Sequence, residues 1–272
     1  MKFGKILFDF YINSSIHVAL AVYSFARITE FYFGLSYNEP LDFFLFYSTI
    51  TGYNFIKYAG VAKLHHQGLT MRLKLIQIFS LICFLLMCFY ACKLHVNTLL
   101  FFFPFGVLTF LYAIPFLSRF QKNLRSIGYL KIIIVAFVWM GTTVFLPFFD
   151  AGIRFSNEVY LIAIQRFLFV IVLILPFDIR DLKYDAIYLQ TIPRKIGVKQ
   201  TKKLGYILLI NCLFLEFIVM SNVVSKNIFL FIFSVTLILL MRSSEKRTYY
   251  YSAFFVELVP IMWCFFLMII YT

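Results

Sequence analysis

Three of the chain's twelve acidic residues fall within eight positions, in Pro176-Phe177-Asp178-Ile179-Arg180-Asp181-Leu182-Lys183-Tyr184-Asp185. The spacing is D-x-x-D-x-x-x-D. On a helix each residue turns by about 100°, so Asp178 and Asp185 nearly eclipse and Asp181 lies about 60° away. Three carboxylates on one face repel one another unless a cation sits between them. A hard divalent ion such as Mg²⁺ suits oxygen ligands and bridges carboxylates to substrate phosphates. The same residues also read as a solvated loop in which Arg180 and Lys183 alternate with the acids. Spacing alone leaves both readings open.

A basic loop earlier in the chain bears on this cluster. Tyr112-Ala113-Ile114-Pro115-Phe116-Leu117-Ser118-Arg119-Phe120-Gln121-Lys122 closes an apolar run, with Arg125 just beyond. Arg119, Lys122 and Arg125 offer donors to phosphate oxygens, the arginines as bidentate forks, and ordinary loop charge accounts for them as well. Lys57 is harder to explain away, because a cation inside an apolar span costs roughly 2.5–3.5 kcal/mol on insertion scales. It follows Asn54 by three residues, with Tyr58 at the fourth position, so the three share nearly one helix face. Lys57 either meets a phosphate or an aspartate of the acidic cluster, or it snorkels to the interface.

The elements that must position these groups are membrane spans. Of the 272 residues, 62% are hydrophobic and only 14% charged, and the mean hydropathy is +0.90. A soluble fold of this size cannot hide that much apolar surface, whereas a bilayer core accepts helices of roughly 20 apolar residues. Nine such runs are expected, at 14–35, 41–62, 73–92, 98–117, 127–149, 158–177, 204–222, 226–241 and 252–271. The first 13 residues, with Lys2, Lys5 and Asp9, suit a short interfacial helix, and the first run is too long for a cleavable signal and lacks its small-residue site. Lys and Arg divide nineteen to three between the two sets of loops. The rule that positive loops stay inside then places the N-terminus in the cytoplasm and the C-terminus outside. This topology, rather than nucleic-acid binding, accounts for the net charge of +13. Five cysteines inside apolar runs read as small buried hydrophobes. Residues 1–272 read as one all-α, multi-pass domain. The longest polar segment, 178–203, and the loop at 118–126 put any chemistry at the cytoplasmic mouth.

With this topology the chain resembles the UbiA superfamily of intramembrane prenyltransferases, which have nine transmembrane helices. Asp178, Asp181 and Asp185 match the family's second aspartate-rich motif. Thr191-Ile192-Pro193-Arg194-Lys195-Ile196-Gly197 is similar to the T-L-P-x-x-x-G that follows it, and Tyr112, Pro115, Arg119 and Lys122 loosely follow its Tyr-Ser-x-Pro-Pro-x-Arg-x-Lys segment. The first motif, N-D-x-x-D-x-x-x-D, is degenerate: Asn54 is present, but Phe55, Tyr58 and Ala62 stand at the aspartate positions.

The resemblance implies transfer of an isoprenyl group from a prenyl diphosphate to a small aromatic or quinone-type acceptor, in a membrane such as the bacterial inner membrane. It implies Mg²⁺ held by Asp178, Asp181 and Asp185, with fewer ions than the family usually binds. Arg119, Lys122, Lys57, Asn54, Tyr112 and Tyr58 would then meet the substrate, with Lys57 standing in for a lost ion. The degenerate first motif leaves a second expectation, a non-catalytic protein that binds prenyl lipid on the same fold. A transporter fits less well, because the acids lie at the mouth and not at the midplane. Among other charges, Arg27 and Glu30 are spaced to pair, Arg166, Glu216 and Glu257 call for partners on other helices, and His65 and His66 read as solvated loop residues.

Overall fold

The computed structural model describes residues 2–62, 71–113, 128–183 and 191–271. The described residues are overwhelmingly helical and contain no strand, as lipid requires of a chain that must satisfy its own backbone groups. The helices are α1 Lys2–Asn13, α2 Ile16–Phe33, α3 Glu39–Ala62, α4 Met71–Ala91, α5 Val96–Ala113, α6 Gly128–Met140, α7 Leu146–Asp150, α8 Asn157–Asp181, α9 Ile192–Val219, α10 Val223–Arg242 and α11 Leu258–Tyr271. A π-turn, Gly141–Phe145, joins α6 to α7, and another, Tyr251–Val256, leads into α11. The interfacial helix and the nine apolar runs thus have their counterparts. By length and apolarity alone, five of the described helices can cross a membrane, or six if α1 and α2, bent by 56°, form one broken span. Of the others, α5 is apolar but short, while α3 carries Glu39, Asp42 and Lys57 and α9 carries Arg194, Lys195 and Lys199.

The surface is as apolar as the core. On α4, Leu75, Ile78, Leu81, Ile82 and Leu85 are all exposed, a stripe that water would not tolerate on a monomer but lipid solvates. Of the cysteines, Cys83, Cys212 and Cys264 are buried as expected, while Cys92 is exposed. Inside, Phe25, Phe169, Phe229 and Trp263 form an aromatic box between α2, α8, α10 and α11, with ring centroids 4.9–6.2 Å apart. Arg166 lies against this box, 4.1 Å from the Phe25 ring, and donates to the Phe25 carbonyl at 2.8 Å. Glu216 accepts from Tyr32 at 2.6 Å and from Gln165 at 2.7 Å. These charges therefore find interhelical partners, and Arg27 pairs with Glu30 as its spacing suggested.

Two local features shape the interior. A Cβ on Gly141 would lie 2.1 Å from the Phe105 ring, which Phe101 and Phe137 hold in place. Only glycine lets α5 approach the π-turn this closely. Gly141→Ala is expected to destabilise the protein by about 1–3 kcal/mol through overpacking, visible as a lower melting temperature in detergent. The second feature is the elbow between α1 and α2, where Ser15 takes the left-handed conformation at φ 65°, uncommon for a residue other than glycine. The elbow abuts the end of α3, and its side chains reach the site described next.

Candidate active site

Between α2, α3, α5, α6, α8 and the π-turn before α11 lies a cavity of about 450 Å³. Its interior wall is apolar, with Val135, Val138, Leu173, Ile174 and Phe177 among the contributors. Charged groups line it as well: Lys57 from α3, Lys131 from α6, Arg180 and Asp181 from α8, and Glu257 from the facing wall. Tyr58, Tyr112 and Tyr249 complete its polar lining.

Each charge is positioned by a specific neighbour. Lys57 donates to Ser15 Oγ at 2.8 Å, and that hydroxyl donates in turn to Asn54 Oδ1 at 2.8 Å. Tyr58 donates to the Asn13 carbonyl at 3.1 Å. The strained elbow therefore clamps the last turns of α3 and aims Lys57 along the cavity wall. Backbone strain maintained beside a cavity is a pointer to function. Lys131 Nζ lies 2.8 Å from Asp178 Oδ1. Arg180 holds Asp181 at 2.7 Å, and donates to the Tyr249 carbonyl at 3.0 Å and to the Ser252 hydroxyl. It thereby ties α8 to the second π-turn. That turn inserts an extra residue in the helical ladder, and Ala253 within it and Glu257 just after it line the cavity. Glu257 lines the same cavity as Lys57 and Arg180.

The expected site residues divide accordingly. Lys57, Tyr58, Tyr112 and Asp181 line the cavity. Asp178 is fully buried behind the wall, with Oδ2 lacking a hydrogen-bond partner among the described residues. Asn54 is buried outside the cavity lining, and its amide bonds Ser15, the Ser14 carbonyl and Ser80. Phe55, at a lost aspartate position, lines a different cavity. Arg119, Lys122, Arg125, Asp185, His65 and His66 lie outside the described residues.

Reading the sequence missed Lys131, Arg180, Tyr249 and Glu257 as site residues. Lys131 and Arg180 were indistinguishable from loop charge. Glu257 carried the better signal, an acid within an apolar run with no partner on its own helix.

Among the described residues, the Mg²⁺ implied by the resemblance meets a poor donor set. Lys131 takes Asp178 and Arg180 takes Asp181. Among the described residues no group of three His, Cys, Asp or Glu side chains is placed to hold a metal.

No family profile matches the chain, and no curated protein matches it in sequence. Solved structures do match in shape. A UbiA homologue from Archaeoglobus fulgidus, bound to GPP and Mg²⁺, superposes with a TM-score of 0.62 at 15% identity, covering 96% of this chain and 99% of that one. A structure of digeranylgeranylglyceryl phosphate synthase in membranes superposes with a TM-score of 0.59 at 11% identity, covering 97% and 98%. With its apolar helices and its end-to-end match to these structures, the chain is an integral membrane protein with the UbiA fold.

Proposed function

We propose that the protein transfers an isoprenyl group from an isoprenyl diphosphate to an aromatic or quinone-type acceptor. The observation that carries this reading is a cavity that joins three cations, Lys57, Lys131 and Arg180, to an apolar interior. An amphiphile with an anionic head and a hydrocarbon tail matches both parts. GPP, bound by the Archaeoglobus fulgidus homologue, is such a molecule. The charge of the loops supports placing the mouth and the N-terminus in the cytoplasm, with lipid around the helices.

In the reaction the bond between the first prenyl carbon and its oxygen breaks, and both electrons leave with the diphosphate. Lys57, Lys131 and Arg180 stabilise that charge as it develops, in a site where little water competes. Tyr53, Trp139 and Phe177 line the same cavity, and their ring faces favour an allylic cation. The electron-rich carbon of the acceptor then forms the new bond and gives up a proton. Glu257, opposite Lys57, is our candidate to receive it. The family's Mg²⁺ would add charge stabilisation at the leaving diphosphate, but the donor set above is too thin to route a step through it.

The test is pyrophosphate release from farnesyl or geranylgeranyl diphosphate by purified protein with an aromatic acceptor. Release supports the transferase. Binding without release leaves a prenyl-lipid-binding protein on the same fold, and no binding ends the reading.

A second apolar cavity of about 480 Å³ shares Tyr53, Thr109, Val138 and Trp139 with the first. Trp139 Nε1 donates to the Tyr53 hydroxyl at 3.0 Å, latching α6 to α3 between them. Trp139→Leu is expected to join the cavities and favour longer tails. Burying about two further methylenes of the longer tail, at about 0.8 kcal/mol each, should raise the preference for a C20 over a C10 diphosphate by roughly tenfold in competition binding.

A further inference from the structure

We infer that this site holds the diphosphate head through the chain's own cations, without a divalent metal. The inference rests on the prenyl-diphosphate reading above and specifies how that ligand is held.

Two observations carry it. The first is the state of the carboxylates. Mg²⁺ bridging a diphosphate draws on one or two unpaired carboxylates at the cavity, and the described ones here stand beside cations. Asp178 is 0% exposed and bound by Lys131 at 2.8 Å. Asp181 lines the cavity but is bound by Arg180 at 2.7 Å. Glu257 lines the same cavity as Lys57 and Arg180. On α3, the helix turn that carries the lost first motif, the charged residue lining the cavity is the cation Lys57.

The second observation is the placement of the cations. They come from three different helices, α3, α6 and α8, and all line one cavity. Two of them are secured from behind by groups that a ligand need not displace. Arg180 is fixed by the Tyr249 carbonyl and the Ser252 hydroxyl, and Lys57 by Ser15, which Asn54 braces in turn. Such braced donors are preorganised for an anion with several charges. Arg contributes a planar fork and each Lys a compact charge. A diphosphate brings more negative charge than any single carboxylate here, so it competes effectively for all three cations. Charge-assisted hydrogen bonds of this kind are among the strongest that proteins make. The carboxylates then balance the cations while the site is empty, in place of binding an ion.

The experiment measures binding of a non-hydrolysable farnesyl thiodiphosphate to the full chain in detergent, by calorimetry, with excess Mg²⁺ and again with excess EDTA. The expected dissociation constants agree within about threefold, which is less than 1 kcal/mol by the usual conversion. In both conditions Lys57→Met should weaken binding by at least ~10-fold, and Lys57→Arg should restore part of it. Because Lys131→Met alone strands Asp178, the second cation is tested in the paired variant Lys131→Met with Asp178→Asn, which should also weaken binding in both conditions. Binding that appears only with Mg²⁺, or Lys57→Met binding as wild type, overturns the inference and leaves the transferase reading standing. Absence of binding in both conditions overturns the transferase reading itself.

Discussion

Lys57→Met is expected to lower the affinity for farnesyl or geranylgeranyl diphosphate by about 10- to 100-fold while the bundle stays folded. A hydrogen bond to a charged group contributes roughly 1.5–3 kcal/mol, and every 1.4 kcal/mol is tenfold in affinity. The folded state should tolerate the change, because methionine keeps most of the side chain's length and removes a cation whose insertion costs roughly 2.5–3.5 kcal/mol. Glu257 keeps Arg180 as a neighbouring cation. The contacts that Lys57 leaves are a hydroxyl, Ser15 Oγ, which retains Asn54 as its acceptor, and the open cavity. Calorimetric binding and a melting curve on the same preparation separate the two effects. Wild-type affinity with an unchanged melting curve would remove Lys57 from the site. Ser15→Ala offers a graded comparison: the ammonium remains but loses its brace, so a few-fold loss is expected.

The spans were legible because lipid imposes one rule on every helix. Apolar runs of the right length stand out, and the observed helices fall on them, including α10 over the short run at 226–241. The break in the run at 127–149 was not legible. The π-turn at Gly141–Phe145 packs against Phe105 of another helix, which occupies the space a side chain on Gly141 would need, and no local pattern encodes that neighbour. The motif at 191–197 was legible as a resemblance, and the structure gives it a physical role. Pro193 sits in the first turn of α9, where its missing N–H costs nothing. Gly197, at φ 80°, turns that first segment into the long span that follows.

The site itself was half legible. Sequence spacing singled out Asp178, Asp181 and Lys57, but which way a residue faces depends on how its helix is rotated against its neighbours. Asp178 and Asp181 are three residues apart, yet one is sealed behind the wall and the other opens to the cavity. Asn54 and Lys57 are also three apart, and here too one braces and the other lines. The partners that decide these fates, Lys131, Ser15 and the second π-turn, lie 39 to 72 residues away in sequence from the groups they hold. Periodicity within one helix carries no record of them.

The largest effect on stability should come from Lys131. Asp178 is fully buried and its one hydrogen-bonded oxygen is held by the Lys131 ammonium at 2.8 Å. Removing one member of a buried ion pair leaves the other as an uncompensated charge, at a cost of about 3–5 kcal/mol. Lys131→Met should therefore lower the melting temperature in detergent markedly, while Asp178→Asn alone should cost less, because the lysine is partly exposed, with 23% of its side-chain surface accessible, and keeps access to water at the cavity. Combining the two changes should recover most of the stability lost in Lys131→Met, since a neutral amide no longer demands a counter-charge. A double-mutant cycle of melting temperatures reads this coupling directly. Simple additivity, with the pair no more stable than Lys131→Met, would show that Asp178 draws its compensation from elsewhere, and that Lys131 is not needed behind the wall. Strong coupling would mean that the most conspicuous aspartate of the acidic cluster serves first to fix a cation at the cavity wall.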